Sequence, residues 1–293
     1  MMLAPSSDSA PIALQPLLLD GTSPSGSRGG VLPEALRARY GGDLAISLRT
    51  DRPTLVSNFV STLDGVVSYN TPEAAGGGEI SGFFDPDQFV MGLLRALADV
   101  VLIGAGTLRA APVDAWTPGF IHPRSALSFT ALRRRLGLRP TPITAVVSAS
   151  GNFDLQHPGL RDPAVEVVIV TTDAGSSALH RQAASTHADI RAVGDRIDPR
   201  DIIETLAFHG AELVLCEGGP HLLGQLLADD LVDELFLTFA PQIAGRSTLI
   251  PRLGLVEETA FDVADARWGR LADLRSAGDH LFARYRLTER KDS

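Results

Sequence analysis

Cysteine is nearly absent from this chain. Its 293 residues hold one, Cys216. No disulfide framework can form, and no multi-cysteine zinc site either. Standing in an apolar stretch, that thiol reads as a small core residue, and no metal is expected. Basic residues are outnumbered, and the net charge is −9. That balance excludes a nucleic-acid groove, and no basic run restores one. It leaves room for a phosphorylated cofactor, which needs only a local cluster of donors. No apolar run reaches the ~18 residues of a membrane span. The N-terminal MMLAPSSDSA lacks the basic start of a signal peptide, so a cytoplasmic protein is expected.

What is present is a chain 44% apolar, long enough for one large domain or two small ones. No internal repeat or second block of composition divides it. One α/β domain over residues 51–293 is the economical reading, with residues 1–50 as a partly flexible extension. Residues 1–30 are rich in Ser, Pro and Gly and read as a mobile tail with one sticky stretch, Leu17–Leu19. Leu32–Tyr40 reads as a short helix closed by Gly41-Gly42. The folded core is expected to begin at Arg52-Pro53.

Two stretches carry the chemistry. Leu213–Cys216 reads as a buried strand that runs into Glu217-Gly218-Gly219, with Pro220 opening a helix through Leu222, Leu223, Leu226 and Leu227. Glycine lets a ligand approach the backbone, and free N–H groups of a first helical turn favour a phosphate. Proline suits the first helical position. Glu217 would repel a phosphate, so it is expected to face a second ligand. Val100–Ile103 is likewise an apolar strand, and it runs into Gly104-Ala105-Gly106-Thr107. Here the third glycine of a dinucleotide fingerprint is replaced by Arg109, so an ordinary Rossmann site is disfavoured. The junction can still cradle a pyrophosphate through backbone N–H groups and the Thr107 hydroxyl.

Other segments add candidate groups. Thr54–Val60 is a strand ending in Ser61-Thr62-Leu63-Asp64-Gly65, a place where open α/β sheets put ligand groups. Ala74–Glu79, AAGGGE, is a flexible loop that could act as a lid. Asp85-Pro86 resembles an N-cap and first helical residue, followed by a stripe of Phe89, Leu93 and Leu97. Ala110–Ser125, with three prolines, reads as a loop, and His122 in it as a surface histidine or a substrate contact. Arg133-Arg134-Arg135 reads as a solvated helix face. Two further strands, Ile143–Ser148 and Val165–Val170, end in hydroxyls at Ser148, Thr171 and Thr172. The stretch from Phe261 reads as antiparallel strands completing the sheet.

Taken in order, Asn58–Gly65 (NFVSTLDG), Val101–Thr107 (VLIGAGT), Glu217–Pro220 (EGGP) and Leu231–Leu235 (LVDEL) with Ala240-Pro241 and Gly245 resemble the riboflavin-biosynthesis pyrimidine reductases. These are reductase domains similar in fold to dihydrofolate reductase. The resemblance covers about residues 52–288. It implies a mostly parallel central sheet flanked by helices, NADPH as cofactor, a small-molecule substrate and a homodimer. The implied reaction reduces the ribose of 5-amino-6-(5-phosphoribosylamino)uracil to a ribityl chain. By position, the resemblance puts Gly104, Ala105, Gly106 and Thr107 against the cofactor. Gly218, Gly219, Pro220, His221 and Leu222 would hold its pyrophosphate, with Ser148, Thr171 and Thr172 near the adenosine half. Asn58, Ser61, Asp64 and Glu217 would face the nicotinamide and the substrate. A proton must reach the reduced centre, and Asp64 or Glu217 could relay it if burial raises its pKa.

The chain departs from the family pattern twice. Val66 stands where many members have lysine after Leu-Asp-Gly. Ala110-Ala111-Pro112 stands where many have Asp-Asp-Pro with an arginine beyond. The expected substrate and phosphate contacts are therefore missing, and Arg109, His122 or Arg124 would have to supply the positive charge. A dihydrofolate or pterin reductase on the same fold, or a non-catalytic NADPH-binding protein, are the alternatives. For the cofactor's 2′-phosphate, Arg181 and Thr172 are candidates. The zinc deaminase that often accompanies such domains needs a Pro-Cys-x-x-Cys, which one cysteine cannot make.

Overall fold

The protein is described here as a computed structural model, which covers residues 11–19, 26–71, 75–182 and 187–288. The N-terminal segment is built into the body rather than trailing from it. Strand β1 (Gln15–Leu19) lies antiparallel on an edge of the main sheet. Strand β2 (Ser27–Gly30) pairs with β3 (Leu44–Ser47), and helix α1 (Glu34–Tyr40) joins them. Leu14, Leu36, Tyr40, Leu44 and Ile46 are all buried in the larger core. This corrects the reading of a mobile tail and a core that starts at Arg52-Pro53. The apolar side chains before residue 50 cover one face of the sheet. Residues 1–10 and 20–25 of the expected tail lie outside the described residues.

From β4 (Thr54–Ser61) onward the chain is an alternating α/β body. After β5 (Val66–Ser68) and the one-turn helix α2 (Gly78–Ser81) comes α3 (Asp85–Leu97). Strand β6 (Val100–Gly104) leads straight into α4 (Ala105–Ala110). The expected loop 110–125 contains a short helix α5 (Pro118–Ile121) and a 3₁₀ turn, because Pro118 and Pro123 each start a turn. Helix α6 (Ala126–Arg135), strand β7 (Ile143–Ser148) and the short α7 (Pro158–Arg161) follow. Then come β8 (Val167–Thr171), α8 (Asp173–Gln182) and β9 (Asp189–Ala192). Helix α9 (Pro199–Phe208) opens on a capping box between Asp198 and Asp201. Strand β10 (Leu213–Cys216) and α10 (Pro220–Ala228) form the second glycine junction. Strand β11 (Glu234–Phe239), the short β12 (Leu253–Gly254), β13 (Gly269–Ala277) and β14 (His280–Leu287) close the fold.

Ten strands form one sheet in the order β1-β13-β14-β11-β4-β10-β6-β7-β8-β9. From β11 to β9 every neighbouring pair is parallel. The C-terminal strands β13 and β14 are antiparallel, as the sequence suggests. The central parallel strands β6, β8 and β10 are buried on both faces, which explains their apolar runs. In β6, Val101 and Ile103 face the core that holds α3 and α6, while Val100 and Leu102 face the core that holds α9 and α10.

Two arginines do structural work that composition hides. Arg133 is 1% exposed, not part of a solvated face. Its Nη1 donates to the carbonyls of Arg95, Ala96 and Ala98 at 3.1, 3.2 and 2.7 Å. It thereby satisfies carbonyls that the end of α3 leaves without helical partners. Asp85 is not the cap of that helix. Phe84 occupies the cap position and Asp85 is the first helical residue, ion-paired to Arg39.

Candidate functional site

Strand β10 lies between β4 and β6, paired parallel to both. Their C-terminal ends therefore open at the same edge of the sheet. The two glycine junctions meet there. The Glu217 N–H donates to Leu102 O at 2.9 Å, holding one junction against the strand that feeds the other. A Cβ on Gly218 would lie 2.6 Å from a Leu222 methyl and 3.4 Å from the Gly104 nitrogen, so a side chain there would crowd both loops. The cap position of α10 is Gly219, and no side chain caps it. The first-turn N–H groups have no partner within the helix, which suits an anion. The donor set fits the pyrophosphate of a dinucleotide.

Beside this seam is a cleft of about 510 Å³. Strand β4 supplies Asn58, and α3 supplies Asp87, Met91 and Arg95 from one face, at i, i+4 and i+8. Thr107, Asp114, Trp116, Glu217–Pro220 and Gly76–Gly78 also line it.

Glu217 and Arg95 form a buried pair, their side chains 7% and 6% exposed. Arg95 Nη2 donates to Glu217 Oε2 at 2.7 Å, and Nε reaches both carboxylate oxygens at 3.0–3.1 Å. Nη1 donates to the carbonyls of Ala115 and Thr117. Every nitrogen of that guanidinium is engaged.

Asp87 is different. It is 6% exposed, with the Ser81 and Thr238 hydroxyls beside it partly offsetting the effect of burial. Burial pushes its pKa up to about 6, and the nearby Glu217 charge adds to the rise. Asp114, half-buried, is raised by the same desolvation.

Of the residues picked out in the sequence, the cleft brings together Asn58, Thr107, Glu217, Gly218, Gly219 and Pro220. Gly104, Ala105 and Gly106 form the adjoining junction at its rim. His221 is exposed and faces Glu258 at 3.6 Å, while Leu222 is buried beneath Gly218.

Five groups of residues take other positions. Ser61 is buried and donates to Thr62 O. Asp64 does not line the cleft. It accepts from the Thr62 hydroxyl and from the N–H groups of Ala244 and Gly245, and these bonds pull its pKa down to about 2. A carboxyl held that low cannot relay a proton near neutrality, which corrects the role expected of it. Arg109 is turned toward β7 and donates to Asn152 O, away from the cleft. His122 is neither a surface residue nor a substrate contact. It is 2% exposed, within 3.2 Å of Asp85, and burial lowers its pKa. The Ser148, Thr171 and Thr172 hydroxyls are buried and bonded to backbone. Ser148 accepts from Gly151 N, while Thr171 and Thr172 donate to the carbonyls of Ser148 and Ala149.

Sequence reasoning missed Asp87 and Arg95. Both lie, eight residues apart, on the face opposite the Phe89, Leu93 and Leu97 stripe, the face an amphipathic helix ordinarily turns to solvent, so the local pattern gave no signal.

The family model of the RibD C-terminal domain matches residues 53–271. The chain is 25% identical over 198 residues to a 2,5-diamino-6-ribosylamino-4(3H)-pyrimidinone 5′-phosphate reductase of Archaeoglobus fulgidus, covering 66% of this chain and 83% of that one. It is 28% identical over 240 residues to the reductase of the same name from Methanothermobacter thermautotrophicus, covering 80% and 98%. Its fold is similar to a pyrimidine reductase-like protein of Corynebacterium diphtheriae, with a TM-score of 0.64 at 20% identity over 82% of this chain and 93% of that one.

Proposed function

This chain belongs to the RibD C-terminal domain family, and from that premise we propose that it is an NADPH-dependent reductase of a ribosylamino-pyrimidine in riboflavin biosynthesis. It works as a cytoplasmic homodimer. The observation that carries the reading is the meeting of two strand-to-glycine junctions at one sheet edge, beside a cleft with a buried, unpaired acid.

The seam between Gly104–Thr107 and Gly218–Leu222 holds the cofactor's pyrophosphate, through backbone N–H groups and the end of α10. Arg109, whose Nη1 donates to Asn152 O beyond β7, would be a candidate cation for the cofactor's adenosine end. The bound nicotinamide supplies a hydride. Asn58 and the Glu217–Arg95 pair orient the acceptor, and the fixed ion pair keeps Glu217 from moving away. Trp116 and the 75–78 segment exclude water from the cleft. Asp87 holds the proton that the reduced centre needs. Its pKa lies near the working pH, where an acid both carries its proton and releases it.

Steady-state NADPH oxidation with the ribosylamino-pyrimidine and with dihydrofolate, side by side, tests this. Turnover of the pyrimidine alone is expected. Preference for dihydrofolate, or tight NADPH binding with neither acceptor reduced, would overturn it.

A further inference from the structure

We propose that Phe83 is the platform on which the acceptor's pyrimidine ring stacks. The inference rests on the reductase reading above and assigns one wall of its cleft.

Phe83 occupies a place that phenylalanine ordinarily avoids. Its φ is 53°, in the left-handed region, where a bulky side chain is a genuine outlier and glycine or asparagine is the usual occupant. Gly82, just before it, is left-handed too and closes α2. Burial does not offset the strain at Phe83. Its side chain is 58% exposed and lines the cleft. The other aromatic rings of the lining have ordinary reasons to be there. Trp116 is buried, Phe59 packs on the core that holds α9 and α10, and Phe120 sits within α5.

Backbone strain persists where the surroundings over-determine it, and it collects at ligand clamps. Here the turn is held from several sides. The Phe83 N–H donates to Gly78 O at 2.8 Å. Phe84, the next residue, stacks on the His280 ring with centroids 4.2 Å apart, and His280 Nε2 donates to Ser81 O at 3.1 Å. The Asp87 N–H donates to Phe84 O at 3.0 Å, so the same turn sets the start of α3. One edge of the Phe83 ring rests on Gly78, where a Cβ would lie 2.5 Å from Cε1. Bare backbone at that point lets the ring settle, and the rest of it stays open.

A fixed, open aromatic ring suits a flat heteroaromatic partner. The reductase reading brings two such rings to the cleft, the nicotinamide and the acceptor's pyrimidine. The proton donor decides between them. The acceptor must lie against Asp87, and Asp87 is carried by the turn that carries Phe83. The pyrophosphate seam is built on other elements, at the starts of α4 and α10. The platform therefore serves the acceptor.

The test uses Phe83→Gly, which removes the ring and relieves the backbone, and Phe83→Tyr, which keeps the ring. Each full-length chain is titrated calorimetrically with the 5′-phosphate of the ribosylamino-pyrimidine in the absence of cofactor, then with NADPH alone, and is unfolded in urea. Phe83→Gly should weaken pyrimidine binding by about tenfold or more. NADPH affinity should stay within about threefold, and the urea midpoint should not fall. Phe83→Tyr should bind the pyrimidine within about threefold of the unsubstituted chain. Gly78→Ala, whose methyl displaces the ring, should also weaken the pyrimidine, and it should add little when placed in Phe83→Gly. Unchanged pyrimidine affinity in Phe83→Gly would overturn the inference. A loss confined to NADPH would do the same, giving the ring to the nicotinamide. So would equal loss of both ligands with a lower urea midpoint, the mark of a structural role. Turnover is read separately. If the unsubstituted chain binds the pyrimidine without reducing it, the reductase reading falls, and the binding ratio between the chains still decides the platform. Binding by none of the chains would overturn both.

Discussion

The two ends of the parallel sheet use the same residue types for opposite purposes. At the N-terminal ends of the strands, each buried acid has an arginine. Asp99, just before β6, meets Arg28 at 3.1 Å and accepts the N–H groups of Glu212 and Leu213 at 2.9 Å. Asp233, just before β11, takes both Arg52 nitrogens and the Leu55 N–H. Glu234 takes Arg284 at 2.7 and 2.9 Å. These groups tie neighbouring strand starts together. At the C-terminal ends, Glu217 alone is paired this way. Asp87 is equally buried, yet it has only hydroxyls for company. A matched acid is fixed in one charge state. An unmatched one can change state, and that difference separates scaffold from chemistry.

Breaking each end separately should give opposite readouts. Asp87→Asn keeps the shape and removes the proton. We expect kcat to fall by about 10²–10⁴-fold, the usual range for loss of a general acid. NADPH affinity should stay within about threefold, since the pyrophosphate seam is untouched, a difference well under 1.4 kcal/mol. A kcat near that of the unsubstituted chain would show that the proton comes from elsewhere.

At the other end, Arg28→Met should cost stability and leave chemistry alone. Arg28 donates to Asp99, to Glu212 at 2.6 Å and to Leu97 O at 3.2 Å. Its loss leaves Asp99 buried without a cation, a change that costs about 3–5 kcal/mol. Denaturant unfolding measures that loss, while kcat per folded molecule should not change. A fall in kcat at full stability would erase the distinction between the two ends.

The scaffold was largely legible in the sequence and the site only half so. Strand runs such as Val100–Ile103 and Leu213–Cys216 announce themselves because both faces of a parallel strand are apolar. The two glycine junctions follow, since each begins where such a run stops. Asp87 and Arg95 were hidden because a helix turns polar residues toward solvent by default, and only tertiary packing turns this pair into a cleft. The helix ending at Gly41 was legible, but the strands β1 to β3 around it were missed for a related reason. Short segments rich in Ser, Pro and Gly carry weak local signals, and Leu14, Leu36, Leu44 and Ile46 declare themselves only once the sheet face they cover exists. Asp64 was misjudged because a turn-forming carboxylate and a catalytic one look alike until the N–H groups of Ala244 and Gly245 are seen bonding to it.

A smaller effect comes from pH. Asp87 is raised to about 6 when folded, against about 3.9 in an unfolded chain. Between those values the folded state holds more protons than the unfolded one. Its contribution therefore weakens the fold as pH rises through that window, and the penalty is complete above about 6. Moving from about pH 7 to about pH 4 should relieve on the order of 2–3 kcal/mol from this group. Other carboxylates push the other way, so the measurement is the difference in unfolding free energy between the unsubstituted chain and Asp87→Asn. That difference should favour the unsubstituted chain more at low pH. A flat difference would mean Asp87 ionises normally.

The smallest expected effect sits one residue from the chemistry. Cys216 precedes Glu217 and is fully buried in the core that holds α9 and α10. Successive strand residues face opposite sides, so Glu217 at the strand's end reaches the cleft while Cys216 does not. Burial pushes the thiol up to about 12, leaving almost no thiolate near neutrality. Treating the native protein with iodoacetamide should therefore leave turnover unchanged, with Cys216 unmodified by mass until denaturant is added. Modification of the native chain, with loss of rate, would mean that the mouth of the sheet opens far more deeply than its packing indicates. The contrast between a fixed end and a chemically free one would then give way to one between a closed end and a breathing one.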